Sequence, residues 1–190
     1  MTIKVNPVGA ALNQYLMKMA LPLGGYFIFE YLVRNYSASN LYLGFLTLPM
    51  MIVTVYLVYR IMKGMRDQLL EGQISGFMAW TFGTQLMLFA GLIEAAFIYI
   101  YNEFIVPTNL MNVQEQMIAQ YESVMKTIEE MPEKSGLVSS AMTMMQDTIE
   151  VMKETPVSSA IEAAMTMLSN DIFFGMFMMA FIAPIIRKRK

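Results

Sequence analysis

The chain contains no cysteine and no histidine. The first absence excludes disulfides and thiolate metal sites, and the second removes the commonest general base and transition-metal ligand. Charge is also scarce, because 15% of the 190 residues are charged, whereas a soluble domain has about 25%. No catalytic, cofactor or metal motif stands out, so we predict no enzyme, no cofactor and no metal site. A net charge of −2 gives no reason to expect nucleic acid as a partner.

Long segments of the chain lack charge altogether, and residues 72–93 contain no charged side chain. An α-helix rises about 1.5 Å per residue, so about 20 apolar residues cross a hydrocarbon core of about 30 Å. Four such runs predict an all-α membrane protein with four transmembrane helices. The predicted spans cover residues 12–33, 41–61, 74–101 and 160–186.

Basic residues are unevenly divided between the two sides of a four-span chain. Nine of the 13 lie on the side that holds both termini: Lys4, Lys18, Arg60, Lys63, Arg66, Arg187, Lys188, Arg189 and Lys190. Lys and Arg are retained in the cytoplasm during membrane insertion. We therefore expect both termini and the 60–73 loop to be cytoplasmic, with residues 102–157 on the opposite side.

The 102–157 insert carries nine acidic residues against three lysines, a net charge of −6. Its apolar residues recur every three or four positions over 110–131 and again over 138–152. This spacing places each set on one face of a helix, with Pro132 and Gly136 between them. The pattern favours an extracytoplasmic amphipathic helical hairpin over the alternative, a disordered acidic loop. Such a pair is marginal alone and needs the bundle or a second copy to bury its apolar stripe.

The sequence also suggests where the last helix begins. Thr155 and Pro156 fit an N-cap followed by proline at the first helical position. A helix from Pro156 to Ile186 is about 47 Å long, which exceeds the hydrocarbon core by about two or three turns. We expect the hairpin to pack on this projection.

Four ionisable residues fall within or near the spans: Glu30, Arg34, Glu94 and Asp171. Counted at about 1.5 Å per residue from the cytoplasmic ends, the three carboxylates share one layer near the outer interface. Arg34 lies one turn after Glu30 and is placed to pair with it. One interpretation is an acidic cluster that binds a cation or relays a proton. The other is that these groups only mark helix ends at the headgroups.

Small residues and prolines give further expectations about packing. Gly76, Gly83 and Ala90 recur every seven residues in the third span and predict a close helix-packing face, within the bundle rather than between copies. Pro22 and Pro49 interrupt the first two spans, which leaves open whether those helices are broken or only kinked. The 22 methionines raise the alternative of Cu(I) binding, but their positions on apolar stripes favour core packing.

Several short motifs lie along the chain: Tyr59-Arg60, Arg66-Asp67, the run 72–77, Tyr99-Ile100-Tyr101, the run 104–107, Asn170, Gly175 and Arg187-Lys188. Together they resemble a family of small bacterial membrane proteins known only as a domain of unknown function. The resemblance implies four spans with a variable insert between the third and fourth. It implies no activity. It places the protein in the inner membrane of a bacterium.

The leading functional hypothesis is a non-enzymatic structural or interaction protein that uses its external hairpin. Its candidate partners are a second copy of the chain or an envelope protein, and no nucleic acid. The alternative is a small homo-oligomeric transporter or ion-conducting protein that uses the outer-leaflet carboxylate layer.

Overall fold

The computed structural model describes residues 7–38, 41–129 and 136–187, and these residues are helical except for short connections. The helices are α1 (Pro7–Ser37), α2 (Leu41–Leu69), α3 (Gly76–Ile100), α4 (Asn109–Glu129), α5 (Gly136–Glu154) and α6 (Ala160–Ile186). A π-helical turn, Tyr101–Ile105, extends α3. The helices α1, α2, α3 and α6 are long and apolar enough to cross a membrane. The all-α prediction and the count of four candidate spans are confirmed.

Contacts between helix ends define an up-and-down path. The Arg66 guanidinium, near the end of α2, donates to the Ile186 carbonyl at 2.9 Å. The Tyr15 hydroxyl of α1 donates to the Ile61 carbonyl at 3.2 Å. The start of α1, the α2–α3 turn and the end of α6 therefore share one end of the bundle, and α4 and α5 lie beyond the opposite one, the hairpin end. Lys4 and residues 188–190, which entered the charge count, lie outside the described residues.

The core of the bundle is α3, which packs mainly against α6 and α1. Two glycines receive methionine side chains from the facing helix. Met87 of α3 lies over Gly175, where an added Cβ would stand 2.6 Å from the Met87 Cγ, and Met179 of α6 lies over Gly83. Both methionines are fully buried. The two helices are therefore held by complementary shape, as expected where lipid surrounds them.

The predicted small-residue face of α3 lies against helices of the same chain. Gly83 and Ala90 are buried. Gly83 faces α6, and the Ala90 carbonyl approaches α1, where a Cβ added to Gly24 would lie 3.0 Å from it. Gly76 sits at the edge of this face, with the Arg187 side chain as its neighbour.

The helix α2 is attached to the bundle mainly through its second half. Both α1 and α2 continue through their prolines, Pro22 and Pro49, so neither helix is broken. The buried side chains of α2 are Thr54, Val58, Met62 and Met65. None of the described side chains over 43–53 is buried. The side chains in the first half of α2 are therefore accessible, and a cavity lies between this half and α6.

The helices α4 and α5 pair through their predicted apolar stripes. Within the described stripe positions only Ile149 is buried, and the others are half-buried or more exposed. The Gln114 amide donates to the Met152 carbonyl, and Lys153 pairs with Glu122 at 2.8 Å. The two-helix form of the insert is therefore present, and the turn at Pro132 lies outside the described residues.

The start of the last helix differs from the prediction. The helix α6 begins at Ala160, and residues 156–159 are not helical. Ser159 and Glu162 form a capping box, in which the Ser159 hydroxyl accepts from the Glu162 amide at 3.3 Å and Glu162 accepts from the Ser159 amide at 2.8 Å. The prediction of a start at Pro156 is therefore wrong. The helix begins later because the capping box satisfies two backbone donors at Ser159 and Glu162. The helix is about 40 Å long and projects less than expected.

Candidate functional site

A polar cavity lies between α1, α2 and α6 in the half of the bundle nearest the hairpin. Its volume is about 350 Å³. Its polar walls are Glu30, Arg34, Thr47, Thr54, Asn170 and Asp171. Its apolar walls are Phe27, Met50, Met51, Met87, Met167 and Phe174. We refer to it as the carboxylate cavity.

Helical spacing explains why these residues converge. On α1 the lining residues fall at 27, 30 and 34, on α2 at 47, 50, 51 and 54, and on α6 at 167, 170, 171 and 174. Residues three and four apart share one face of a helix, so each helix presents a single polar and apolar stripe to the cavity. The three stripes leave the cavity between them, while the Tyr26 hydroxyl of α1 holds the first half of α2 by donating to the Met50 carbonyl at 2.9 Å.

Glu30 is held by a neutral donor from α2. Its Oε2 accepts from the Thr54 hydroxyl at 3.2 Å, and the same hydroxyl lies 3.1 Å from the Met50 carbonyl. A hydroxyl has one proton, so Thr54 divides it between these two acceptors. Glu30 therefore retains free acceptor capacity on the cavity wall.

The expected ion pair between Glu30 and Arg34 is not formed. Among the described residues the ion pairs within 4 Å are Arg66–Asp67 and Lys153–Glu122. The Arg34 guanidinium instead extends towards α6, where its Nη1 lies 3.9 Å from the Met167 sulfur. The two side chains part because Glu30 turns towards Thr54 of α2. Arg34 is thus an exposed cation at the rim of the cavity, with no carboxylate within 4 Å among the described residues, although its charge acts on Glu30, Glu94 and Asp171 from farther away.

Glu94 lies behind the cavity wall and is 2% exposed. Its side chain is within hydrogen-bonding reach of Asp171. Two carboxylates offer only acceptors, so this contact is a hydrogen bond only when one of the two carries a proton. With both ionised, the Asp171 Oδ2 is buried with no donor among the described residues. A hydrogen bond between these two carboxyls therefore requires one proton between them.

Gly91 makes the approach of these two carboxyls possible. A Cβ added to Gly91 would lie 3.0 Å from the Asp171 Oδ2 and 3.2 Å from Leu168 Cδ1. Because glycine leaves this space empty, α6 comes close enough for Asp171 to reach Glu94 on the same helix as Gly91.

The structure thus brings three of the four ionisable residues chosen from the sequence, Glu30, Arg34 and Asp171, to one cavity. The fourth, Glu94, contacts Asp171 from behind it. Sequence reasoning did not assign Thr54 or Asn170 to the site. A single threonine in a span carries no distinctive signal, and Asn170 stood out only as a motif residue of the family resemblance. In the described ranges no three His, Cys, Asp or Glu side chains come together as a metal site would require.

A buried chain of polar groups joins the bundle to the hairpin, and sequence reasoning missed it as well. The Asn102 amide donates to the Tyr31 hydroxyl at 2.8 Å, and the Asn109 amide donates to the Asn102 Oδ1 at 2.8 Å. These residues belong to α1, the π-helical turn and the start of α4. The seven-residue spacing of the two asparagines was the available signal. We refer to this chain as the asparagine joint.

A second cavity of about 420 Å³ lies under the hairpin and is called the vestibule here. Its walls include Val113, Met117 and Gln120 of α4. Arg34 and Met167 line both the vestibule and the carboxylate cavity, so the two are separated by these side chains.

Four membrane-length helices around a polar cavity, with a helical pair inserted before the last helix, define a small multi-pass membrane protein. The chain belongs to the family described as "Protein of unknown function (DUF4199)", whose model matches residues 19–188. The family resemblance of the sequence motifs is therefore confirmed. No curated protein and no solved structure matches the chain.

Proposed function

We propose that this protein is a small membrane transporter or ion-conducting protein whose solute occupies the carboxylate cavity. One observation carries the proposal: the Glu94–Asp171 pair lies beside a cavity that is also lined by Glu30 and by Arg34, which has no ion pair within 4 Å among the described residues. Ionisable groups inside a membrane bundle are expensive and mark solute pathways. This is the alternative of the two hypotheses that the sequence left open.

The carboxyl pair supports a mechanism of exchange. Two negative charges side by side in a medium of low dielectric repel each other strongly, so the pair needs one compensating positive charge. A proton shared between Glu94 and Asp171 supplies it. A cationic group that enters the cavity beside Asp171 supplies it equally well, and the proton is then released. Binding of the solute and loss of the proton are therefore coupled.

The surroundings complete this proposal. We place the protein in the inner membrane of a bacterium, with both termini cytoplasmic, because basic residues concentrate at the end opposite the hairpin. The hairpin and the vestibule then face outwards, and the solute enters from that side. In this role the protein is not an enzyme, uses no cofactor and binds no nucleic acid. Homo-oligomers are compatible with the long exposed face of α2.

Proton exchange in proteoliposomes tests the proposal. Wild-type protein is reconstituted with an internal pH dye, and an inward gradient of methylammonium chloride is applied under a potassium diffusion potential. We expect proton release beyond that of protein-free liposomes, in which neutral methylamine alone crosses the membrane. Glu94→Gln and Asp171→Asn should abolish this excess, while both variants remain folded by circular dichroism. The control is Glu103→Gln, the same change at an exposed carboxyl in the π-helical turn. Release that is absent from wild type, or unchanged in Glu94→Gln, refutes the proposal.

An interaction role for the hairpin is the second candidate. It is favoured by a seam in which Ile149 is the one buried residue among the described stripe positions, together with exposed apolar side chains at Met111, Met144 and Val151. A second copy of the chain or an envelope protein would cover this surface. Crosslinking in native membranes, followed by the mass of the purified particle, tests it. A particle with the mass of one chain that captures no partner excludes this role.

A further inference from the structure

We propose that the solute of the carboxylate cavity carries an ammonium group and an anionic group on one small molecule. This inference rests on the proposed function and names the class of its ligand. It comes from hydrogen-bonding capacity that the described residues leave unused at the two ends of the site.

The deep end of the site is lined by carboxyl groups. The Asp171 side chain lines the cavity, and its Oδ2 is buried against Gly91 of α3 without a donor partner among the described residues. Across the cavity, Glu30 receives the Thr54 hydroxyl that also serves the Met50 carbonyl. A primary ammonium has three N–H donors and a positive charge, which suits two carboxyls that face one cavity.

The rim of the site lacks acceptors. Among the described residues, Arg34 contacts no carboxylate within 4 Å, and its polar contact is the Met167 sulfur, a weak acceptor. The neighbouring Asn35 has a buried Nδ2 without an acceptor in the described residues, and it lines the vestibule beside Arg34. The Arg34 guanidinium at this rim suits the oxygens of a carboxylate or phosphate.

A ligand with a single charge leaves one end unsatisfied. A simple cation compensates the carboxyls but repels Arg34, and a simple anion does the reverse. Arg34 follows Glu30 by one turn on α1, so a short molecule reaches both ends. Water occupies about 30 Å³ per molecule in the liquid, so a cavity of about 350 Å³ holds a ligand of about ten non-hydrogen atoms.

Two sources supply this chemistry. One is a free solute of the amino-acid type that enters through the vestibule. The other is the phosphoethanolamine headgroup of a lipid, which would enter from the side where the cavity lies between the first half of α2 and α6. Both present a primary ammonium and anionic oxygens, so the same side chains serve either one.

Matched small probes test the class of ligand. Full-length protein in lipid-depleted detergent is titrated with β-alanine, ethylamine or propionate, and binding is followed by calorimetry. We expect β-alanine to bind about tenfold or more tightly than either single-charge probe, since it gains charged hydrogen bonds at both ends. Arg34→Gln should reduce β-alanine binding to the ethylamine level, and Asp171→Asn to the propionate level. Arg60→Gln is the control, because Arg60 lies on α2 outside the carboxylate cavity. It should leave the binding of all three probes unchanged.

Nanodiscs distinguish the two sources. The β-alanine titration is repeated in phosphatidylcholine and in phosphatidylethanolamine, because the quaternary ammonium of choline has no N–H to donate. Competition by phosphatidylethanolamine alone identifies the lipid headgroup as the source, and equal binding in both identifies the free solute. If ethylamine binds as tightly as β-alanine, if Arg34→Gln has no effect, or if no probe binds, the inference is overturned. Proton exchange that still depends on Glu94 would then leave the proposed function standing.

Discussion

The membrane bundle and the hairpin are both made of helices, but different forces hold them. In the bundle, Met87 and Met179 fill spaces above glycines of the facing helix and are completely buried. In the hairpin, two amphipathic helices meet along a seam where Ile149 is the buried residue among the described stripe positions. The bundle therefore depends on shape, and the hairpin on the pattern of apolar residues.

The surrounding medium explains this difference. Lipid is as apolar as leucine, so membrane helices gain little by hiding apolar surface and associate through close packing. In water an apolar stripe is enough to bring two helices together, but a pair of about 20 residues each is only marginally stable. The asparagine joint connects the two regions and gives the hairpin a fixed base.

The largest expected effect is in the bundle. Gly175→Ala places a methyl group 2.6–2.7 Å from the Met87 Cγ and Cβ, which lie close to the backbone of α3. Overpacking of this kind lowers the free energy of unfolding by up to about 3 kcal/mol. Gly25→Ala is the control, because nothing lies within 4 Å of its added Cβ. Unfolding in mixed micelles measures both, and equal stabilities would contradict packing by shape.

The next effect is at the asparagine joint. Asn102→Ala removes the donor to Tyr31 and the acceptor for Asn109, which leaves buried polar groups unpaired at about 2 kcal/mol in total. Hydrogen exchange at the start of α4 should accelerate, while the centre of α3 stays protected. Asn112→Ala, whose amide contacts Thr108 on the surface, should leave exchange unchanged. Uniform acceleration in all helices would show that the joint does not separate the two regions.

A smaller effect is expected inside the hairpin. Ile149→Val removes one methylene from the seam and should lower local stability by about 1 kcal/mol. The rate of amide hydrogen exchange in α4 and α5 should rise, while the free energy of unfolding of the bundle stays the same. Ile161→Val makes the same change at a position that is 60% exposed and serves as the control. A loss of bundle stability in Ile149→Val would mean that the two regions fold as one unit.

The smallest effect concerns charge on the hairpin surface. The hydrogen bond and charge of Lys153 hold the pKa of Glu122 below its ordinary value. The pair therefore stabilises the hairpin at pH values above the ordinary pKa of glutamate. This stabilisation is lost as the pH falls through the lowered pKa of Glu122. Lys153→Gln should raise the pKa of Glu122 in an NMR titration, and Lys126→Gln should raise it less. High salt should reduce the difference, because both groups are exposed.

Much of the bundle could be predicted from sequence, because hydrophobic length alone identifies a membrane helix. The hairpin helices followed from steps of three and four. The start of α6 could not be predicted in this way, because the sequence offers two acceptable N-terminal signals. They are Thr155-Pro156 and Ser159 with Glu162. The structure uses the second because its capping box satisfies two amides where Thr155-Pro156 would satisfy fewer.

The candidate site was less predictable than the fold. Rise per residue was enough to place Glu30, Glu94 and Asp171 in one layer, because depth depends only on counting. The rotation of each helix depends on packing, so the contact between Thr54 and Glu30 could not be read from the chain. The separation of Arg34 from Glu30 also follows from packing, because α2 offers Glu30 a closer donor.

The methionines that fill the glycine spaces make the protein sensitive to oxidants at one stage of its life. A sulfoxide is larger and more polar than a thioether, both methionines are completely buried, and the Met179 sulfur lies directly over Gly83. Once the helices have assembled, the sulfurs are shielded from peroxide. During biosynthesis, before α6 docks, they are accessible, and damage then would block assembly. The vulnerable form is therefore the newly inserted chain and not the mature protein.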